Sequence, residues 1–165
     1  MWENGSTSNE DAIMSLEQDI REILPYIGSS ADRFLAIMRS VVQECWRQAA
    51  FVYLYMAVCG DPCDTPRVKK AFKRFMNLLN GTKPGRLPDD FLSLPLALVS
   101  PAAQRQRDRE AIRLRVLEFH RRGQAIRADN HITRLVEDYW ARADTGSRPI
   151  TWSDVAVSQR RVLGV

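Results

Sequence analysis

Between Phe34 and Cys59 apolar side chains return every three or four residues: Phe34, Ile37, Met38, Val41, Cys45, Ala49, Val52, Met56 and Cys59. That spacing follows the helical period and predicts one long helix with a core-facing stripe. From Trp46 onward the opposite side turns apolar as well, through Ala50, Tyr53 and Leu54, and the run AAFVYLYMAVC from Ala49 to Cys59 carries no charge. A helix that is apolar all round is either enclosed by protein or spans a bilayer. This run is well short of the ~20 residues a span requires, and Arg47-Gln48 and Gly60-Asp61-Pro62 bracket it. The spacing therefore predicts a buried central helix over 49–59, surrounded by other helices, and no membrane partner.

The rest of the chain supplies those neighbours. Ile13, Leu16, Ile20, Ile23 and Leu24 share one face of a helix that Pro25 and Gly28 end. It is an acidic helix, since Glu10, Asp11, Glu17, Asp19 and Glu22 outweigh Arg21. Ser30 is positioned to cap the long helix, and Gly60 to stop it. Thr65 precedes Pro66 at a helix start, where the missing N–H costs little. In that helix Val68, Phe72, Phe75 and Leu79 face one way and Arg67, Lys69, Lys70, Lys73 and Arg74 the other, up to Asn80-Gly81. Asp90 opens a short apolar element that Pro95 interrupts. An arginine-rich helix is expected from Pro101 to about Arg122, with Ala103, Ile112, Val116 and Phe119 inward, although RQRDRE breaks its period. Asp129 or Asn130 leads a helix with Ile132, Leu135, Val136, Tyr139 and Trp140 inward. TGSRP is a turn, and Thr151 with Asp154 starts a final helix to about Leu163. Nowhere does strand-like alternation develop. The expectation is a single all-α domain over 11–165, a bundle of about seven helices, preceded by a flexible polar segment over 1–10.

With 45% hydrophobic and 27% charged residues in 165, the chain has material for a core and is not a disordered polymer. A net charge of +4 is basic without the excess of an obligate nucleic-acid binder. The odd count of three cysteines, after a start with neither a basic nor an apolar leader region, points to reduced thiols inside the cell. The sequons at Asn4 and Asn80 carry no meaning in that compartment.

Chemistry-bearing residues do not gather. Cys59 and Cys63 have zinc-ligand spacing, but His120 and His131, the candidates to complete a site, are eleven apart in different elements. Cys45 and Cys59 lie on the apolar stripe, where cysteine acts as a small hydrophobe. Cys63 with a histidine lacks any motif of a nucleophile and its base, and no phosphate-binding glycine motif occurs. Glu137-Asp138 reads as a solvated acidic pair. Trp46, Trp140 and Trp152 read as core anchors. No catalytic, metal or cofactor residue is assigned. The basic face Arg67, Lys69, Lys70, Lys73 and Arg74, and the run Arg105, Arg107, Arg109, Arg113, Arg115, Arg121 and Arg122, could meet an anionic surface. Asp108, Glu110 and Glu118 sit at pairing distance along the second group, so a solvated, internally paired surface is expected there.

Three stretches in order carry a family resemblance: WRQAAFVYLYMAVCGDPCDTPRVKKAFKRFMNLLN from Trp46 to Asn80, FLSLPLALVSPAAQRQRDREAIRLRVLEF from Phe91 to Phe119, and LVEDYWARADTGSRPITWSDVAVSQRRVLGV from Leu135 to Val165. Together they resemble the C-terminal part of the fungal-specific transcription factor domain, over about 30–165. That domain is the helical regulatory region of fungal binuclear zinc-cluster regulators. Their six-cysteine DNA-binding motif is absent from this sequence, and Ser100-Pro101-Ala102 stands where a glycine-containing stretch is expected. The resemblance implies a non-enzymatic regulatory module in the nucleus, a fragment or truncated relative of a longer domain, without cofactor. It implies action through a protein partner or self-association of helices, with residues 11–24 covering an otherwise open apolar face or the chain dimerising through it. The second reading is a basic adaptor that binds nucleic acid or an acidic protein surface, direct DNA contact being the less favoured.

Overall fold

The computed structural model describes residues 4–24, 32–84, 89, 91–121 and 128–165. Ser30 as a cap, the Pro25 and Gly28 stops, Asp90, Arg122 and the side chains of Phe119, His120, Arg121, Asp129 and Asn130 lie outside the described residues. The described residues form seven α-helices and no strand: α1 (Asn4–Glu22), α2 (Arg33–Tyr53), α3 (Pro66–Asn80), α4 (Ser93–Val99), α5 (Gln106–Arg121), α6 (Ala128–Gly146) and α7 (Trp152–Leu163). The all-α bundle expected from the apolar periods is the observed architecture.

α2 starts where Asp32 accepts a hydrogen bond from the Phe34 amide at 2.9 Å, satisfying one of the free donors of a helix start. It then passes into a π-helical turn, Leu54–Val58. The Cys59 amide donates to Leu54 O at 3.0 Å and the Asp61 amide to Tyr55 O at 2.9 Å. This wider turn rotates Leu54, Tyr55 and Met56 into the core consecutively, which a uniform 3.6-residue pitch does not do. Gly60, at φ +76°, closes the helix in the left-handed region, where a side chain costs about 1–2 kcal/mol.

Cys45, Ala49, Val52 and Met56 are fully buried, and Phe75 and Leu79 of α3 and Val99 of α4 meet the same core. α2 packs along α3 and α4, and more lightly on α1. Each fully buried Leu, Met or Phe contributes about 1.5–3 kcal/mol relative to exposure, so the α2–α3–α4 layer is the main store of stability. The central helix is not enclosed on every side. Trp46, Tyr53 and Val58 remain 40%, 44% and 51% exposed along one side.

Four boundaries differ from the sequence expectation for identifiable reasons. α1 begins at Asn4 rather than near Asp11. Pro95 does not interrupt α4, because it sits in the first helical turn, where its lack of an N–H is harmless. Pro101 opens only a buried 3₁₀ turn, Ser100–Ala102, and α5 starts later at Gln106. α6 continues through the expected turn to Gly146, and Ser147 takes a left-handed φ of 49° as it ends.

Candidate interaction surface

The arginines of α5 hold the inner architecture together. Arg115 is 3% exposed and donates to Asp89 Oδ1 at 2.6 Å, to Thr82 Oγ1 at 3.0 Å, to Leu79 O at 2.5 Å and to Thr82 O. It thus caps the C-terminal carbonyls of α3 while pairing with a buried carboxylate. Arg109, 5% exposed, donates to Ala103 O at 3.0 Å and to Asp144 at 2.7 Å. Arg113 binds Glu137 through both Nε and Nη2, at 2.5 and 2.9 Å. Trp140 lies with the guanidinium carbons of Arg109 and Arg113 each 5.1 Å from its ring centroid. Its indole N–H donates to Ser100 O at 2.9 Å. The 3₁₀ turn therefore offers its backbone carbonyl to Trp140 where the family pattern suggested glycine.

The expectation of a solvated, internally paired surface holds for Arg105 and Arg107, which stay exposed and pair with Asp108, and for the Arg113–Glu110 pair. It is corrected for Arg109 and Arg115, which are buried, and Arg113 is in addition clamped to α6. Glu137 and Asp138 are corrected likewise. Glu137 ties α5 to α6, and Asp138 accepts from Ser158 Oγ at 2.7 Å and Arg142 Nε at 3.1 Å, tying α6 to α7. Burial works against the Asp138 charge, but those bonds and the nearby Arg161 hold its carboxyl below the usual range. Asp154 is held at about 2, chiefly by the two-pronged Arg148 contact at 2.5 and 2.8 Å, against the opposing effect of burial, and also by the Thr151 amide at 2.9 Å. That last bond is the helix-start contact expected at Thr151 and Asp154.

The thiols are structural. Cys63 is buried, its amide donates to Ile150 O at 2.8 Å, and its Sγ accepts from the Ile150 amide at 3.2 Å and Gln104 Nε2 at 3.3 Å. Burial raises its pKa despite those donors, and burial pushes Cys45 up to about 12, so both are protonated and poorly nucleophilic at neutral pH. His131 is exposed. Among the described residues no three of His, Cys, Asp and Glu are grouped to hold a metal ion. No helix among them is long and apolar enough to cross a membrane.

On the outside, α3 presents Arg67, Lys69, Lys70, Lys73 and Arg74 to solvent, as its pattern requires. Arg67 is already committed. It grips Asp61 at 2.5 and 3.0 Å, lies 4.5 Å from the Tyr55 ring centroid, and reaches Glu17 of α1 at 3.9 Å. Lys69 and Lys73 line a cleft of about 320 Å³ with Phe72, Ala102, Gln104, Arg105 and Asp108. Arg105 and Gln104 are additions that sequence reading did not connect with α3, because they lie more than thirty positions away, at and just before the segment that broke the α5 period. A second feature is the apolar stripe. Trp46, 40% exposed, is not the core anchor expected, although its indole N–H donates to Phe91 O at 3.1 Å. Exposed Phe91 and Leu94 continue it, and Tyr53 meets Trp152 edge-on with centroids 5.2 Å apart. α1 lies over the other flank of α2. Arg47 donates to the carbonyls of Ile20, Arg21 and Ile23, and Arg21 sits 6.0 Å from the Phe51 ring centroid.

An all-helical unit whose buried charges join helix to helix, and whose distinguishing features are a basic helix face and an apolar stripe, is of the class of helical domains that present surfaces. The chain belongs to the fungal specific transcription factor domain family, whose model matches residues 2–163. The match takes in α1, beyond the range in which the sequence alone carried the resemblance. No curated protein and no solved structure matches the chain. Membership ties the chain to transcriptional regulation.

Proposed function

We propose that this chain is a non-enzymatic regulatory module of a nuclear transcriptional regulator, acting by docking its helices on a protein partner or on a second copy of itself. The observation that carries this reading is where the charged groups are spent. Arg109, Arg113, Arg115, Asp138, Arg142 and Asp154 complete helix ends and helix–helix contacts, whereas acid–base chemistry needs such groups to converge on a cleft. The Trp46–Phe91–Leu94 stripe supplies an apolar surface of the kind that marks protein contact. Fusing the chain to an unrelated DNA-binding domain, in a fungal nucleus, tests the reading. A change in reporter transcription relative to the DNA-binding domain alone is expected, and an unchanged reporter at equal protein level contradicts it.

The second reading, a basic adaptor, is favoured by one observation: among the described residues the cations Lys69, Lys70, Lys73 and Arg74 make no ion pair. If these residues bind nucleic acid, affinity for duplex DNA falls steeply with salt and is lost on Lys69→Glu/Lys70→Glu/Lys73→Glu. A flat, weak salt response removes the nucleic-acid form of that reading and leaves the acidic-protein form.

A further inference from the structure

α3 opens against its own electrostatics. The N-terminal end of a helix carries partial positive charge and favours acids over cations. Yet the first turn of α3 holds no acid, and Arg67, Lys69 and Lys70 fall within its first five residues. Arg67 is neutralised by Asp61. Lys69 and Lys73, one turn apart on the same row, have no such partner among the described residues. Across the cleft from them stands Arg105, immediately before the start of α5, with 63% of its side chain exposed. The carboxylate in the cleft, Asp108, is only 7% exposed and already held by Arg105 at 3.0 Å and Arg107 at 3.8 Å. Three cations therefore border the cleft against one carboxylate that is occupied.

The floor is different. Phe72 and Ala102 line it, 6% and 4% exposed, so what solvent reaches there is a small apolar surface between charged walls. At about 320 Å³ the cleft has room for one or two side chains. A single strand is a poor fit, because the only aromatic ring among these cations, Phe72, shows solvent an edge and no face for a base to stack on; duplex DNA, which needs no stacking, is an outcome of the test.

We propose that the cleft between α3 and the start of α5 is a docking site for an acidic peptide segment of a partner protein, one that alternates carboxylates with apolar side chains. The carboxylates meet Lys69, Lys73 and Arg105, and an apolar side chain rests on Phe72 and Ala102. This deepens the reading of the chain as a protein-interaction module and rests on it.

The test uses the full chain and fluorescence anisotropy with three labelled probes: a short peptide alternating Asp or Glu with Leu or Phe, an oligoglutamate of equal charge, and a short DNA duplex. Saturable binding of the alternating peptide is expected, with oligoglutamate at least ~10-fold weaker. Lys69→Glu/Lys73→Glu should reduce peptide affinity by ~10-fold or more, while Lys70→Glu/Arg74→Glu, the same charge change outside the cleft, should reduce it less than ~3-fold. All four substitutions are at exposed positions, and unchanged circular dichroism confirms folding. Equal binding of peptide and oligoglutamate, equal loss in the two double variants, tighter binding of the duplex, or no saturable binding at all would each overturn the proposal. Peptide binding that fails while the tethered reporter still responds sinks the cleft alone. A silent reporter with intact peptide binding sinks the regulatory reading instead.

Discussion

Replacing Arg115 by Met, of similar reach but without charge, removes the guanidinium that joins α5 to the end of α3. In the native protein that group is 4% exposed against a partner, Asp89, that is 1% exposed. It serves four acceptors: Asp89, the Thr82 hydroxyl, and the carbonyls of Leu79 and Thr82. Deleting one member of a buried ion pair removes the charge that offsets its partner's desolvation, a loss of about 3–5 kcal/mol. The two carbonyls lose a charge-assisted donor as well, but that loss overlaps the first and is not additive. For 165 residues the unfolding entropy near the midpoint is about 0.35 kcal/mol/K, so a loss of 4 kcal/mol lowers Tm by roughly 11 °C. Urea denaturation followed by far-ultraviolet circular dichroism measures the change directly. Arg115→Lys should recover little of it, since an ammonium lacks the planar fork that reaches carboxylate and carbonyls together. Arg115→Met/Asp89→Asn should be less damaged than the sum of the single variants, because the same pairing is lost in each of them. A destabilisation below about 1 kcal/mol for Arg115→Met would refute the claim that α5 is held by buried charge.

Three other perturbations follow from the same geometry. The folded carboxyl of Asp154 titrates at about 2, below its unfolded value of 3.8, so its contribution is complete above that value and is lost as pH falls towards 2. The Tm gap between wild type and Asp154→Asn, about 2 kcal/mol in stability at neutral pH, should close over that acid window, and a gap independent of pH would contradict it. The Tyr139 hydroxyl is buried without a hydrogen-bond partner among the described residues, although it lies near Ser100. Ser100 donates its own hydroxyl to Leu96 O at 2.5 Å. Tyr139→Phe should therefore leave stability unchanged or raise it by about 1 kcal/mol, and a clear loss would show that a partner exists. Arg47→Ala removes the donors that hold the end of α1, a helix whose Met14 and Leu16 are exposed. Amide exchange in α1 should quicken at least ~10-fold while α3 and α6 keep their protection, and uniform acceleration would mean that α1 is part of the global core.

Periodicity made the helices legible where packing is apolar. Val68, Phe72, Phe75 and Leu79 announced the buried face of α3, and all four are buried. It failed where a helix buries charge. Nothing local tells Arg115 from Arg107, yet one is 3% exposed and the other has a side chain 77% exposed. What differs is tertiary: the carbonyls of Leu79 and Thr82 and the carboxylate of Asp89 need a donor, and Arg115 is in reach of them. The broken period of RQRDRE was the trace of this, since Asp108 and Arg109 occupy inward positions there. The π turn at Leu54–Val58 was hidden because an all-apolar stretch fits either pitch, and Trp46 was misread because a large aromatic on a helix does not reveal whether a neighbour covers it. Of the basic face, Lys69, Lys70, Lys73 and Arg74 could be read from α3 alone. The diversion of Arg67 to Asp61 and the arrival of Arg105 depend on turns that bring distant segments together.

The claim on which the rest depends is that this module works through its surface and not through reactive side chains. Reporter output of the tethered chain, normalised to protein level, should be unchanged by Cys59→Ser/His131→Ala and reduced severalfold by Trp46→Ala or Lys69→Glu/Lys73→Glu. Output abolished by the first pair and indifferent to both surface changes would contradict the account.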